Sequence, residues 1–415
     1  MKRVVVIGGG ISGCSAAITA ARAGVEVVLL ERMDFISGLA PWSGELFSSI
    51  ARLEAKLLGG GDLLRVMESL VLHHQKEFNI PYGCLTFDVT KVAEGIRRRV
   101  HEAGVQVALK SRVVDVERRG DRIQTVILAN EQRIEGDTFV DATGNLGGVA
   151  VCQGQGQGCV LCYYGCNVFG DRVGISEKAG IPDVLDPAWP VYFPATLIAM
   201  QSLPPHLRHR IEEAASGYYY HPLPPDFIGR DLSSVWRRPD RPVATGITED
   251  SFPVVNVGHA KVYLNLPMTW LRLIPGFENT WLLNPVSAEG QAASLGGTAP
   301  HDATLKVDGL ANLFCAGLRA GRYDGVTEMV FTGDLAGHNA ARTALGIEPL
   351  PLPPSTMLGY FIARVNKGHT YAQHPLDATP SREYQEAGLT TTKPEEIKVR
   401  LEQAGLLGIY QRAPS

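Results

Sequence analysis

The first thirty residues alternate between apolar runs and small residues, in an order that predicts a strand, a turn, a helix and a second strand. Val4–Ile7 is an apolar β-branched run, which is typical of a buried parallel strand. An alanine-rich helix is expected from about Ile11 to Ala23, with Gly24 just after its end. The run Val25–Leu30 predicts the next strand.

The turn Gly8–Gly13 fits the pattern G-x-G-x-x-G. Its first glycine allows a tight turn, its second lets a pyrophosphate approach the backbone, and its third lets the helix pack closely on the strand. The helix N-terminus offers N–H groups to the anion, and an acidic residue after the second strand can accept hydrogen bonds from a ribose diol. This order predicts a dinucleotide-binding unit. The residues expected to contact the dinucleotide are Gly8, Gly10, Ile11, Ser12, Gly13, Glu31 and Arg32.

The following pattern predicts more helices and strands in an α/β order. Leu53–Phe78 is expected to be mostly helical with an interruption at three glycines, and Asp88 is expected to cap another helix. Apolar alternation then predicts a small meander and later strands. These strands are expected at 105–109, 112–117, 122–128, 132–134, 139–144 and 312–317, and a further helix is expected after residue 325.

This order resembles that of flavoproteins with two dinucleotide-binding domains, because one strand ends in Ala142-Thr143-Gly144 and a later one in Ala316-Gly317. The resemblance implies FAD as the tightly bound cofactor, with the helix N-terminus near Val326 directed at flavin N1 and O2. Partial positive charge there would stabilise the anionic reduced flavin. The further residues expected at FAD are Gly38, Ser43, Gly44, Val113, Ala142, Thr143, Gly144, Gly317, Asp324, Gly325, Val326 and Thr327.

Later stretches are similar to those of one flavoprotein group, GidA/TrmFO, which acts on tRNA uridines. They are Ile274–Asn279, Phe314–Gly317 followed by Asp324-Gly325, and Pro351–Pro354. TrmFO is the folate- and FAD-dependent methyltransferase of that group, so the resemblance implies a divergent member. One departure is clear: where TrmFO-like proteins carry a nucleophilic cysteine, Trp42–Ile50 contains serines and no cysteine.

The expected fold is therefore α/β, a Rossmann-type two-dinucleotide-binding-domain FAD fold with an inserted α+β substrate domain. The FAD domain is expected to be discontinuous, over 1–45, 88–150 and 300–345. Residues 46–87 and 151–299 would form the inserted domain, and 346–415 a proline-rich connector and a helical tail.

Four of the seven cysteines lie in one glycine-rich stretch with the spacing C-x6-C-x2-C-x3-C: Cys152, Cys159, Cys162 and Cys166. These four thiolates could hold an iron–sulfur cluster. Alternatively, Cys159 and Cys162 could form a redox pair that exchanges electrons with the flavin. Cys159, Cys162 and Cys166 are the candidate catalytic residues. A zinc site and buried apolar thiols are the remaining interpretations, and Cys14, Cys84 and Cys315 are expected in the core.

Composition restricts the partners. Hydrophobic residues make up 45% of the 415 residues and the net charge is −4, which describes a globular chain without a general attraction for nucleic acid. RNA remains a candidate partner that the charge does not favour. A small-molecule substrate or a redox partner protein is expected, a homo-oligomer is compatible with the sequence, and no membrane span is predicted. Clustered cysteines without a signal sequence suggest the cytoplasm.

Three functions follow from these observations. The preferred one is an FAD-dependent oxidoreductase that transfers a hydride through flavin N5, with the clustered cysteines as an electron relay. The second is folate-dependent methylation of RNA uridine, as the TrmFO resemblance implies. The third is a flavin-containing electron-transfer subunit. By position alone, His259, His301 and Glu328 are candidate acid–base groups, although a structural role is expected for each.

Overall fold

Helices and strands alternate through the N-terminal half of the chain. A computed structural model describes residues 1–38, 45–46, 49–74, 85–144, 174–185, 195–214, 221–222, 253–254, 259–263, 276–279, 297–321, 326–366, 386–389, 391 and 393–414. The strands are β1 (Arg3–Ile7), β2 (Glu26–Leu30), β3 (Glu45–Leu46), β4 (Val71–His74), β5 (Leu85–Phe87), β6 (Gln106–Ala108), β7 (Val113–Arg119), β8 (Arg122–Leu128), β9 (Arg133–Glu135), β10 (Thr138–Asp141), β11 (Val184–Leu185), β12 (Ala195–Ala199), β13 (His221–Pro222), β14 (Pro253–Val254), β15 (His259–Tyr263), β16 (Gly297–Thr298) and β17 (Leu313–Cys315).

Helices of very different length join these strands. They are α1 (Ile11–Arg22), α2 (Ser49–Leu57), α3 (Asp62–Glu68), α4 (Val89–Glu102), α5 (Ile175–Lys178), α6 (Pro205–Ala214), α7 (Val326–Ala344), α8 (Met357–Asn366) and α9 (Pro394–Gln403). Single 3₁₀ turns lie at Met200–Ser202, Gly317–Arg319 and Ile409–Gln411.

The central sheet is parallel, with the strand order β17-β10-β1-β2-β6. All residues of β10 and β17 are buried, as are Val4 to Ile7 of β1. Such burial favours apolar residues, and the two polar residues of β10, Thr138 and Asp141, both form hydrogen bonds. The chain leaves β1 toward β2 on one side, while β10 lies on the other side. This arrangement is the doubly wound, Rossmann-type order, so the predicted fold class is confirmed. Ligands bind such sheets outside the carboxyl ends of the strands, where the strand order reverses.

Helices α1 and α7 cross at very close range because glycines of α7 face α1. A Cβ atom on Gly333 or Gly337 would overlap backbone carbonyl oxygens of α1. Between these glycines, the carboxylate of Asp334 accepts hydrogen bonds from Ser15 Oγ at 2.6 Å and Thr19 Oγ1 at 2.7 Å. The crossing holds the long helix against the helix that follows the glycine turn.

The C-terminal segment packs on the same part of the molecule. Backbone N–H groups of Gly408 and Tyr410 donate to the carbonyl oxygens of Leu57 and Leu58, at 2.8 and 2.9 Å. The Glu54 carboxylate, which is fully buried on α2, accepts hydrogen bonds from the first N–H groups of α8. Helix α2 therefore joins α8 and the C-terminal segment to the central domain.

Most predicted elements agree with the structure. The Asp88 side chain accepts a hydrogen bond from the Thr90 N–H at 3.0 Å, so the predicted helix cap is confirmed. The prediction that Leu53–Phe78 is mostly helical is wrong at Val71–His74, which forms a strand that pairs with β5. A short apolar run does not distinguish helix from strand, and here pairing with a distant strand decides. The domain boundaries stay a prediction. Among the described helices, none is long and apolar enough to cross a membrane.

Candidate functional site

The glycine turn after β1 depends on close backbone contacts. Gly8 has a φ of +102°, and a Cβ there would overlap the carbonyl oxygen of Ala142 at the end of β10. A Cβ on Gly13 would overlap the carbonyl oxygen of Gly8 itself. Gly10 differs from both, because no described residue has an atom within 4 Å of the position of its Cβ. The turn is therefore held by close backbone contacts at Gly8 and Gly13. At Gly10, at the carboxyl edge of the sheet, it leaves open space.

The N-terminus of α1 faces this opening without a competing group. Gly10 is the N-cap, no side chain caps the first turn, and no acidic residue lies in that turn. The first intrahelical hydrogen bond runs from Cys14 N–H to Gly10 oxygen at 2.9 Å. The N–H groups before Cys14, which include those of Ile11 and Ser12, are the ones that a helix N-terminus offers to an anion.

Glu31 lies at the end of β2, beside the turn, and only 8% of the residue is exposed. Its Oε2 accepts a hydrogen bond from Gly9 N–H at 2.6 Å and its Oε1 accepts one from Met33 N–H at 2.8 Å. An ionised carboxylate has about four acceptor positions, so it can still accept bonds from a diol. The motif treats Gly9 as a variable position, so its role as a donor to Glu31 was not predicted. Arg32, which follows, is half-buried.

The loop after β2 closes on the glycine turn. Ser37 N–H donates to Gly9 oxygen at 2.7 Å, and Ser37 adopts a positive φ of 91°. Its hydroxyl oxygen is buried and has no hydrogen-bond partner among the described residues, although it lies at the edge of the opening. A Cβ on Gly38 would lie 3.1 Å from Gly10 Cα. Ser37 lies in the loop that was expected to wrap the cofactor's phosphates, but it was not among the residues predicted to contact the cofactor. The predicted contacts Ser43 and Gly44 lie outside the described residues.

Two later strand ends meet this turn. Ala142 contacts Gly8, as described above, and Thr143 and Gly144 continue from it. After β17, a Cβ on Gly317 would overlap the hydroxyl of Ser12 in α1, and Gly317 N–H donates to Thr332 Oγ1 of α7 at 3.0 Å. The structure thus brings together three segments that are distant in sequence: the glycine turn, the end of β10 and the end of β17.

The remaining predicted contacts lie around these segments. Val113 begins β7 and is buried, and the connection before it binds the end of β2, since Ser111 N–H donates to Glu31 oxygen at 2.8 Å. Val326 and Thr327, both buried, begin α7. Asp324 and Gly325 lie outside the described residues.

The described cysteines are core residues. Burial raises the pKa of the Cys14 thiol to about 12, and burial likewise raises the pKa of Cys315 well above its usual value. Neither thiol therefore forms a nucleophilic thiolate near neutral pH. The clustered cysteines Cys152, Cys159, Cys162 and Cys166, and also Cys84, lie outside the described residues. Within the part of the chain that the structure describes, no group of three His, Cys, Asp or Glu side chains could hold a metal ion.

Of the acid–base candidates, His301 has a structural contact on each side. Its Nδ1 lies 2.7 Å from the carbonyl oxygen of Asp302 and its Nε2 lies 2.5 Å from that of Ala320. The ring therefore joins the loop before β17 to the turn after it. Glu328 is half-buried in the first turn of α7, and His259 begins β15, which pairs with β12.

The chemistry of this site fits a dinucleotide. An uncapped helix N-terminus accepts a pyrophosphate, the open space at Gly10 gives it access to the backbone, and the Glu31 carboxylate accepts ribose hydroxyls. The unsatisfied Ser37 hydroxyl adds a polar atom beside the same opening.

Comparisons with known proteins point to the same cofactor. The family model for FAD dependent oxidoreductases matches residues 3–156, and the model for glucose inhibited division protein A, GidA, matches residues 254–348. The structure of Aquifex aeolicus GidA in its form II crystal covers 98% of this chain and 73% of that chain, with a TM-score of 0.66 at 18% identity. At this identity the likeness concerns the fold alone.

Curated relatives match over shorter stretches. The methylenetetrahydrofolate–tRNA-(uracil-5-)-methyltransferase TrmFO of Crocosphaera subtropica is 36% identical over 107 residues, which is 25% of this chain and 23% of the relative. TrmFO of Deinococcus radiodurans is 29% identical over 144 residues, which is 35% of this chain and 29% of the relative. The matches thus span about a quarter of the length of these relatives. The chain therefore has a Rossmann-type fold, and over parts of its length it is similar to FAD dependent oxidoreductases, to GidA and to TrmFO.

Proposed function

We propose that the chain is a flavoenzyme that binds FAD in the groove outside the carboxyl ends of β1, β2, β10 and β17. One observation carries this proposal: the open space at Gly10 lies at an uncapped helix N-terminus, with a buried carboxylate at the end of the next strand. A pyrophosphate needs the first of these features and a ribose diol needs the second.

The residues have distinct parts in this proposal. The N–H groups of residues 11–13 hold the pyrophosphate, and Glu31 holds the adenosine ribose. Val113 lies by the adenine and Gly317 by the ribityl phosphate. The N-terminus of α7, at Val326 and Thr327, is directed at flavin N1 and O2, where its partial positive charge favours an anionic reduced flavin. Bound FAD would supply hydride transfer at N5.

The favoured reaction is oxidation or reduction of a small molecule or a redox partner. In its more detailed form, Cys159, Cys162 and Cys166 relay electrons, or all four clustered cysteines hold an iron–sulfur centre. This part rests on the cysteine spacing alone. Its test is an anaerobic preparation assayed for iron and acid-labile sulfide, beside a Cys159→Ser/Cys162→Ser double variant. Stoichiometric iron that disappears in the variant supports the cluster, whereas iron-free wild-type protein overturns it.

A second candidate is methylene transfer from folate to a uridine of RNA. The matches to TrmFO favour it. A thiolate nucleophile would be needed, and both described thiols are buried with raised pKa values. Its nucleophile would therefore have to come from the five cysteines that lie outside the described residues. The third candidate function is that of an electron-transfer subunit. In that case we expect the chain to co-purify stably with another protein.

Three measurements on one preparation separate these candidates. Rapid bleaching of the flavin absorbance by NADH or NADPH supports a free-standing oxidoreductase. Methylation of unmodified tRNA that requires methylenetetrahydrofolate, together with RNA binding that weakens steeply with salt, supports the methyltransferase. If the flavin is reduced only by a co-purifying protein, the electron-transfer role is supported. Protein that binds no FAD overturns all three.

A further inference from the structure

A buried arginine lies directly after the strand end that carries Gly317. Arg319 is 0% exposed, and its Nε donates to Asp141 Oδ2 at 3.1 Å. Its two terminal nitrogens each donate to an oxygen of Asp183 at 2.6 Å. Burying a guanidinium away from water costs a large free energy unless its N–H donors are hydrogen-bonded to acceptors. The carboxylates of Asp141 and Asp183 supply such acceptors here.

The same Asp141 carboxylate also holds two other pieces of backbone. Its Oδ1 accepts hydrogen bonds from Thr143 N–H at 3.1 Å and from the Thr143 hydroxyl at 2.6 Å. Its Oδ2 accepts one from Ile175 N–H, at the start of α5, at 3.0 Å. In sequence, these contacts flank residues 145–173, which include the clustered cysteines. One side chain thus fixes the chain before and after that segment.

Arg319 extends the network to the segment after α5 begins. Its Nη2 donates to Ser176 Oγ at 2.7 Å, and that hydroxyl lies 3.2 Å from Asp183 Oδ1. Three parts of the chain meet at one guanidinium: the end of β10, residues 175–183, and the turn after β17. Because two carboxylates contact one cation, loss of the guanidinium removes a positive charge that both of them contact.

This network contacts the ends of β10 and β17, which we assign to the FAD site. The end of β10 contacts the turn at Gly8, and Gly317 contacts α1 at Ser12. Ala316 N–H also donates to the backbone carbonyl oxygen of Asp141 at 3.0 Å. The ion pair and this backbone hydrogen bond both connect the end of β10, next to Thr143, to the turn that carries Gly317.

We infer that Arg319 is a positioning residue for FAD, which aligns the two strand ends through Asp141 and joins them to residues 175–183 through Asp183. This inference rests on the proposed FAD site. It goes beyond that site because Arg319 is assigned no contact with the cofactor. A purely structural ion pair would stabilise the fold without changing how tightly or in what geometry the flavin is held.

The test is Arg319→Lys, which keeps the charge but cannot bind both carboxylates in a planar fork. Arg22→Lys is the matched control, since Arg22 pairs with the buried Asp62 at the opposite end of α1, on the order of 15 Å from the glycine turn. Each purified variant is stripped of flavin and titrated with FAD, and the visible-region circular dichroism of the bound flavin is recorded. Thermal unfolding is followed in parallel.

We expect Arg319→Lys to weaken FAD binding by about tenfold and to change the flavin circular dichroism, while Arg22→Lys leaves both unchanged. Equal losses of thermal stability with wild-type FAD binding in both variants would overturn the inference. If Arg319→Lys does not fold, Asp141→Asn is decisive, because it removes the charge that pairs with Arg319 at the strand end while Arg319 keeps its contacts with Asp183. Unchanged FAD affinity and dichroism in that variant also overturn the inference. Wild-type protein that binds no FAD would instead refute the proposed function.

Discussion

Oε2 of Glu31 lies 2.6 Å from the backbone nitrogen of Gly9 and accepts its hydrogen bond. The two residues belong to different parts of the βαβ unit, the glycine turn and the end of the second strand. The carboxylate therefore has two functions in our account. It fixes the turn from within the protein, and it keeps acceptor capacity for the ribose of the cofactor.

Glu31→Gln is expected to destabilise the fold as well as to weaken FAD binding. A glutamine has one acceptor oxygen, so its NH₂ group would face the N–H of either Gly9 or Met33, and a buried unsatisfied donor costs about 1–3 kcal/mol. Urea unfolding of the flavin-free protein measures this loss.

The control for this substitution is Glu26→Gln in the same strand. Glu26 pairs with Arg3 near the surface, so a much smaller change is expected. If the two variants have the same stability, the buried carboxylate does not support the turn.

Gly337→Ala is expected to destabilise the crossing of α1 and α7. The new Cβ would overlap the carbonyl oxygen of Ala16, and a close backbone neighbour cannot move aside as a side chain can. Overpacking of this kind costs about 1–3 kcal/mol. Arg98→Ala on the exposed face of α4 is the control, for which no measurable change in the unfolding midpoint is expected. A Gly337→Ala protein as stable as the wild type would show that the helices can separate at little cost.

The buried carboxyl group of Asp334 is expected to make the free energy of unfolding depend on pH. Burial raises its pKa from 3.8 to about 6, so the folded chain holds a proton that the unfolded chain has lost between these values. Stability therefore falls as pH rises through this interval, by roughly 3 kcal/mol for a shift of about two units. Burial raises the pKa of Glu54 as well, which adds to the same trend. Asp62 contributes with the opposite sign, since its two arginine partners lower its pKa below the usual value.

The variant Asp334→Asn isolates this contribution. The amide can donate to the hydroxyls of Ser15 and Thr19 and accept from Gly61 N–H, so the contacts are kept without the titration. The difference in unfolding free energy between wild type and variant should change by roughly 3 kcal/mol from below pH 4 to above pH 6. A constant difference across this range would mean that Asp334 titrates in the folded protein as it does in the unfolded chain.

The sequence predicted the elements whose determinants are local. The βαβ unit, the meander and the Asp88 cap each depend on residues within a few positions, and the structure has all three. Strand β4 was assigned to a helix, because its partner β5 begins eleven residues after β4 ends and no local pattern indicates that pairing.

The candidate site divides in the same way. Gly8, Gly10, Gly13 and Glu31 follow from the motif. The sequence did not indicate the pairing of Arg319 with Asp183, because these residues lie 136 positions apart and neither belongs to a periodic pattern. The Ser37 hydroxyl was missed for a related reason, since only the folded loop shows that it is buried and unsatisfied.

The most direct test of the central claim compares two glycine substitutions in the same turn. Gly10→Ala places a methyl group in open space at a φ of −69°, which alanine adopts readily, so the flavin-free protein should unfold at the wild-type temperature. The methyl group would occupy the space assigned to the pyrophosphate, and FAD titration should show at least about a tenfold loss of affinity. Gly13→Ala overlaps Gly8 oxygen and should prevent stable folding. Wild-type FAD affinity in a folded Gly10→Ala protein would contradict the account, because the cofactor could not then lie at the N-terminus of α1.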